Sequence, residues 1–506
     1  MKRKFLLGAF SLLSALALVT GCSPDKPSST KTSSSSSKSE VSSGASEAKY
    51  TDIKELKEKY DVIIVGAGGA GMTAAIEAKD KGLNPVVFEK MPVAGGNTLK
   101  ASAGMNAAET KFEKEKNVTD SKDLFFEETL KGGGGKNDQE LLRFFVDNSA
   151  SAIDWLDQNG MKLDNLTTTG GMSVTRTHRP TDGSAVGGYL VKGLLENIHK
   201  RNIPLFVNAD VTKINEKDGK ISGVEVTFDQ KDKKEISSNA VIVTTGGFGA
   251  NEEMIKKYRP DLVGYVSTNQ EGSTGDGIKM IEALGGATVD LDQIQIHPTV
   301  VQKNGYLITE AVRGEGAILV NGEGKRFFNE METRDKVSKA ILETKEKSAY
   351  LILDSGVKER VKAIATYEKQ GFVVEGKTIA ELAEKIKLPA EALEATVNEW
   401  NKSVADKQDT AFGRKTAMEN DLSKAPYYAI QIAPGIHHTM GGVKINTKTE
   451  VLNKDGKAIT GLFAAGEVTG GLHGANRIGG NAVADIIIFG RQAGSQSAEF
   501  VEGLKK

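Results

Sequence analysis

Tyr60-Asp61-Val62-Ile63-Ile64-Val65-Gly66-Ala67-Gly68-Gly69-Ala70-Gly71 is the stretch on which the fold turns. The run from Tyr60 to Val65 reads as a buried parallel strand. The glycines follow at once, and Met72 to Ala78 then carries helical propensity and period. A second apolar strand, Pro85-Val86-Val87-Phe88, ends in Glu89. Strand, G-x-G-x-x-G, helix, strand and terminal acid together make a complete β-α-β dinucleotide unit. Gly66 permits the tight turn, Gly68 lets the backbone approach a pyrophosphate, and Gly71 lets the helix pack closely on the strand. The helix then starts at Ala70 and Gly71 with free N–H groups and its positive dipole end toward the phosphates. Glu89 is placed to accept from ribose hydroxyls. The competing reading is a plain glycine-rich turn, and the intact flanks disfavour it.

The rest of the composition narrows the class. A chain of 506 residues is too long for one compact unit and implies several domains. A net charge of −1 offers no basic surface for nucleic acid. With Cys22 as the single cysteine, an internal disulfide, a CxxC metal site and a CxxCH haem attachment are all excluded.

That cysteine follows an export pattern. Lys2, Arg3 and Lys4 precede an apolar run from Phe5 to Val19, which is short of the ~20 residues a membrane crossing needs. Val19-Thr20-Gly21-Cys22 resembles a bacterial lipoprotein processing site, which implies a signal peptide over 1–21 and a lipid on Cys22. A generic signal peptide with an incidental cysteine is the alternative. Residues 22–55, rich in Ser and Thr, read as a disordered linker. Such a tether spans on the order of 30 Å and would hold the enzyme off the outer face of a cell membrane. Within it, Glu40-Val41-Ser42-Ser43-Gly44-Ala45-Ser46 resembles the acceptor for covalent FMN, with Ser46 carrying the flavin through a phosphoester made by a flavin transferase. Glu40 stands where aspartate is usual, and plain linker is the alternative.

The expected fold class is α/β: a Rossmann-like FAD-binding domain in two segments, 56–292 and 433–506, with an inserted α+β capping domain over 293–432. FAD is favoured over NAD because Lys90 to Thr98 continues directly from Glu89, as in the large two-domain flavoproteins, which puts Asn97 and Thr98 at the cofactor. Asp276, opening an amphipathic helix after Gly275, is expected there too. Ile459-Thr460-Gly461-Leu462-Phe463-Ala464-Ala465-Gly466-Glu467 resembles the second FAD motif, and Ala482 and Val483 follow it. No second full G-x-G-x-x-G is present, so electrons are expected from an external donor: a protein, a quinol or a flavin carrier.

Five further motifs, in order, carry a closer resemblance: Ile296-His297-Pro298-Thr299, Thr309-Glu310-Ala311-Val312-Arg313-Gly314, Thr333-Arg334-Asp335, His437-His438-Thr439-Met440-Gly441-Gly442, and His473-Gly474-Ala475-Asn476-Arg477-Ile478-Gly479-Gly480-Asn481. Over residues 56–506 the chain resembles the soluble fumarate reductases of the flavocytochrome c type, without their haem domain. The resemblance implies that His297, Thr309, Glu310, His437, Arg477 and Gly480 bind a small dicarboxylate. It implies hydride transfer from flavin N5 to one alkene carbon, a proton from Arg334 to the other, and a Glu310–Arg313 relay that recharges Arg334. An arginine is a poor acid by its reference pKa, so it needs developing negative charge beside it. If Glu310 and Arg313 share a helix, their spacing puts them on one face. His438 and Arg477 are implied near the flavin as well, and His473 reads as structural.

Two other readings stand beside this one. Relatives of the same architecture reduce urocanate, acrylate or methacrylate. A lipid-anchored flavin electron carrier is the alternative of another class, and it leaves Arg334, Glu310 and Arg477 without purpose. The Ser46 motif generates its own prediction. Protein made alongside a flavin transferase should show one added FMN by intact mass after denaturation, and an unmodified mass there removes the tethered flavin.

Overall fold

The computed structural model describes residues 49–506. Cys22 and Ser46 lie outside the described residues, and so do the lipid and FMN expectations attached to them.

Val62–Val65 forms the centre of a six-stranded sheet and is buried along its whole length. The order across the sheet is Glu450–Leu452, Ala458–Ala464, Val241–Val243, Val62–Val65, Pro85–Phe88, Leu205–Phe206. All neighbours run parallel except Glu450–Leu452, which pairs antiparallel with Ala458–Ala464. The continuous apolar runs follow from this, because a parallel sheet is covered on both faces. Each fully buried Val or Ile side chain adds about 1.5–3 kcal/mol relative to exposure.

Helix Gly69–Asp80 packs on helix Asn481–Gly503 at backbone distance. A Cβ on Gly490 would lie 2.8 Å from the Ala70 carbonyl oxygen, and one on Gly494 2.5 Å from that of Ala74. The C-terminal helix is therefore a wall of the dinucleotide domain. Beside the sheet, Ala209–Lys217, Lys220–Phe228 and Asp232–Ser237 form an antiparallel meander.

A second apolar core gathers residues between Val301 and Ile432. Its sheet has the order Tyr306–Leu307, Ile294–Val301, Tyr427–Thr439, Ala349–Asp354, Ile318–Val320, all antiparallel. Helices Ile379–Ile386 and Ala390–Ala405 cover it, the first capped by the Thr378 side chain. The long strand Tyr427–Thr439 belongs to both cores. Tyr428 and Ile430 bury in the second, while Ile436 buries in the first. The domain boundary expected between 432 and 433 falls inside this strand.

The linker expected through residue 55 ends earlier. Thr51 N donates to the Leu205 carbonyl, and Leu205 N donates back to Thr51 Oγ1. Ala94 N donates to the Tyr50 hydroxyl, and Ile53–Glu55 forms a 3-10 turn. The edge strand Leu205–Phe206 offers unpaired backbone groups, and Thr51 satisfies two of them. Among the described residues no helix is long and apolar enough to cross a membrane.

The tightest point of the glycine turn is Gly71, where a Cβ would sit 1.9 Å from the Gly66 carbonyl oxygen and 2.6 Å from Thr244 Oγ1. Gly71→Ala is therefore expected to push strand and helix apart at a cost of about 1–3 kcal/mol or more. Visible absorbance of the purified variant should show FAD lost, with a lower Tm than the parent.

Candidate active site

A cleft opens at the carboxyl ends of the parallel strands, lined by Gly66, Gly68, Glu89, Asn97, Thr245 and Glu467 among others. Gly66 sits at φ +103°, where a side chain would strike the Thr244 carbonyl. Gly68 is the opposite case: a Cβ there would meet nothing within 4 Å. That open space at the start of the helix is what a diphosphate requires. Ala70 and Asp276 also line the cleft, and Asp276 accepts from Thr274 Oγ1 and pairs with Lys90.

Three expected cofactor residues have further work. Glu89 Oε2 accepts from Ala67 N at 2.8 Å and Oε1 from Met91 N at 2.9 Å, so this carboxylate braces the glycine turn from within the cleft wall. Burial pushes its pKa up, against those two amides. Thr98 Oγ1 accepts from Gly69 N at 3.0 Å and so caps the helix. Asn97 Nδ2 donates to Asn269 Oδ1 and to Glu467 Oε2. Gly71 is buried under the turn rather than in the cleft. Ala482 and Val483 stand in the first turn of helix Asn481–Gly503, whose Ile486 reaches the cleft. Thr245 Oγ1 is a buried hydroxyl without a protein partner on the cleft wall. An amide-rich turn, an open Gly68 and this free hydroxyl fit FAD.

Beyond the cleft the structure gathers groups from five distant segments. Arg334, first residue of helix Arg334–Leu342, donates from Nε to Glu310 Oε1 at 2.6 Å. Arg313 Nη2 lies 3.6 Å from the same oxygen, because Glu310 immediately precedes the short helix Ala311–Gly314 and stands three residues before Arg313. Arg334 Nη1 and Arg477 Nη2 both donate to Gln295 Oε1, at 3.0 and 3.1 Å. Glu310 Oε2, Arg313 Nε and Arg477 Nε are buried without partners. Burial would raise the Glu310 carboxyl, but Arg334, with Arg313 and Arg477, holds it down at about 2. Burial, then Arg334, pulls Arg477 down to about 9 against the attraction of Glu310.

The two histidines are held without charge. His297 is fully buried, and Thr299 N donates to its Nδ1 at 3.2 Å. An N–H cannot donate to a protonated nitrogen, so the His297 proton sits on Nε2, which makes no hydrogen bond and lies 3.8 Å from Glu310 Oε1. His437 lies against it, ring centroids 5.1 Å apart. Burial holds both well below the usual histidine range, with Arg334 next in each case. His438 Nδ1 is 3.5 Å from Glu467 Oε1, which ties it to the cleft wall. His473, expected to be structural, sits 5.5 Å from the His438 ring and 3.4 Å from Asp485.

Thr309 supports the site from beneath: its N donates to the Tyr367 hydroxyl, and its Oγ1 accepts from Ala311 N at 3.4 Å. Gly480, at φ +85°, starts the C-terminal helix. Sequence reasoning missed Gln295, although it stands two residues before His297 on one strand and so shares its face. It also missed Gly479, where a Cβ would lie 2.3 Å from Glu310 Oε2.

The chain as a whole has counterparts among known proteins. A family model described as FAD binding domain matches residues 61–483. The NADH:fumarate oxidoreductase of Klebsiella pneumoniae is 54% identical over 446 residues, 88% of this chain and 48% of that protein. This chain thus spans about half of that relative's length. The fumarate reductase (cytochrome) of Shewanella frigidimarina is 46% identical, over 87% of this chain and 77% of that protein. The open conformation of a flavocytochrome c3 fumarate reductase superposes with a TM-score of 0.74 at 40% identity, over 88% of this chain and 79% of that one. The chain belongs to the FAD binding domain family, among the flavoproteins related to the flavocytochrome c fumarate reductases.

Proposed function

We propose that this protein reduces the carbon–carbon double bond of a small unsaturated dicarboxylate, fumarate first. The observation that carries the reading is charge. Arg313, Arg334 and Arg477 surround one carboxylate, Glu310, in a buried site. Three guanidiniums less one carboxylate leave two positive charges, the complement of a dicarboxylate dianion. Of the carboxylates acting on Arg477, Glu310 acts most strongly, ahead of Glu467 and Asp485. A monoanion such as acrylate would leave one of those charges unanswered in the interior, where an unpaired ion costs several kcal/mol.

Bound FAD supplies the hydride. The chain's own residues do the rest. Arg477 grips one carboxylate with a planar fork, and the neutral Nε2–H of His297 is free to donate to a carboxylate oxygen. Held at both ends, the alkene loses conjugation with one carboxylate and accepts hydride more readily. Arg334 then gives a proton to the carbon that gains negative charge. Glu310, ionised and hydrogen-bonded to Arg334 Nε, passes a replacement from Arg313. Gln295 holds Arg334 and Arg477 at a fixed separation through one carbonyl oxygen. Electrons come from an external donor, a protein, a quinol or a flavin carrier. In the same reading Cys22 anchors the protein by lipid to the outer face of the cell membrane and Ser46 carries FMN. Those two assignments rest on sequence motifs.

Two outcomes are expected. Reduced viologen should be oxidised by the purified protein on adding fumarate, and faster than on adding urocanate or acrylates; no oxidation with any of them removes the reductase reading. Arg334→Ala should lower kcat by more than about 10³-fold while FAD stays bound, the scale of losing a general acid together with an electrostatic contact. Turnover retained in that variant would show that the proton comes from elsewhere.

A further inference from the structure

His297 takes its tautomer from the backbone, through Thr299 N–H. His437 has no such donor. Its Nδ1 is 2.8 Å from Thr268 Oγ1, and a hydroxyl can either donate or accept. We infer that Thr268 is the residue that sets the tautomer of His437, turning Nε2–H toward the substrate as a second neutral donor. The inference rests on reading His437 as a dicarboxylate contact.

The hydroxyl has one partner among the described residues, His437 Nδ1. If it accepted from Nδ1–H, its own proton would have no acceptor, and Nε2 would present a lone pair in a site built for an anion. Donation to Nδ1 satisfies the hydroxyl and leaves the proton on Nε2. Protonation of the ring does not blur this choice, since burial and the neighbouring Arg334, His297, Arg477 and Lys100 all disfavour the charged form.

Thr268 is itself held from several sides. Its N donates to the Ile436 carbonyl at 2.8 Å, and its carbonyl accepts from Lys100 Nζ at 3.0 Å. Lys100 Nζ also donates to the Asn269 carbonyl at 2.9 Å. Asn269 accepts from Asn97 Nδ2 at 2.6 Å and donates to the His437 carbonyl at 3.3 Å. Asn97 lines the cofactor cleft. The loop that orients the substrate donor is thus clamped by the wall of the cofactor cleft, through Asn97 and Lys100. Thr268 is a positioning residue, since it acts through His437.

The test compares Thr268→Val and Thr268→Ser with the parent, as purified FAD-loaded proteins, using reduced viologen and fumarate. Valine keeps the shape and removes the hydroxyl, so KM should rise about tenfold while kcat changes by less than about threefold, the pattern of a lost binding hydrogen bond. Serine restores the hydroxyl and should restore KM. An active parent with an unchanged KM in Thr268→Val overturns the inference and leaves the dicarboxylate reading standing. So does a Thr268→Ser variant as impaired as Thr268→Val, and so does loss of FAD from Thr268→Val, which would make the residue part of the cofactor cleft only. A parent that neither turns over fumarate nor shifts its flavin spectrum on adding it overturns both.

Discussion

Three guanidiniums with one carboxylate among them, all buried, set the terms for everything around them. Like charges in the interior repel, and each ion removed from water costs several kcal/mol. Glu310 offsets part of this by binding Arg334 and lying close to Arg313. Gln295 offsets more, by accepting from Arg334 and Arg477 at once. The remainder stays uncompensated within the protein, and partnerless Arg477 Nε and Arg313 Nε mark where. A site in that condition is preorganised for an anion, because the protein has already met the cost of holding the charges in place.

Holding them requires both cores. Arg313 and Arg334 come from the second core, Arg477 from the loop ahead of the C-terminal helix, and Gln295 and His297 from the strand entering the second core. Behind Arg313, a neutral set of Arg326, Arg414, Glu330 and Asp409 is packed around Trp400. Arg414 donates to the Arg313 carbonyl, and Arg313 donates to that of Glu330. The short helix bearing Arg313 is thereby fixed through its main chain as well as its side chain.

Much of this was legible in sequence wherever the signal is local. The β-α-β unit announces itself because turn, helix start and strand are neighbours in the chain. His297, Glu310, Arg313, Arg334, His437 and Arg477 stood out as motifs, and the structure brings them together. Gln295 did not, because its meaning lies in a bond to Arg477, 182 residues away. Thr268 is likewise a threonine in an unremarkable loop until His437, 169 residues on, lies against it. Glu89 was recognised as an acid at the cleft, but its hold on two backbone amides depends on the turn having closed. Composition suggests a linker through residue 55, whereas the open strand edge at Leu205 captures Thr51 and the Ala94 amide holds the Tyr50 hydroxyl.

The strand Tyr427–Thr439 has one more consequence. Its first half is hydrogen-bonded to Ala349–Asp354 and its second half to Ile294–Val301. The two cores therefore share a continuous ribbon and are not beads on a string. A cap exchanged as a cassette at residue 432 would sever a ladder in mid-course and leave two ragged sheets. Diversification of substrate in such a chain has to proceed by replacing side chains along the ribbon and its neighbours, with the whole scaffold inherited together.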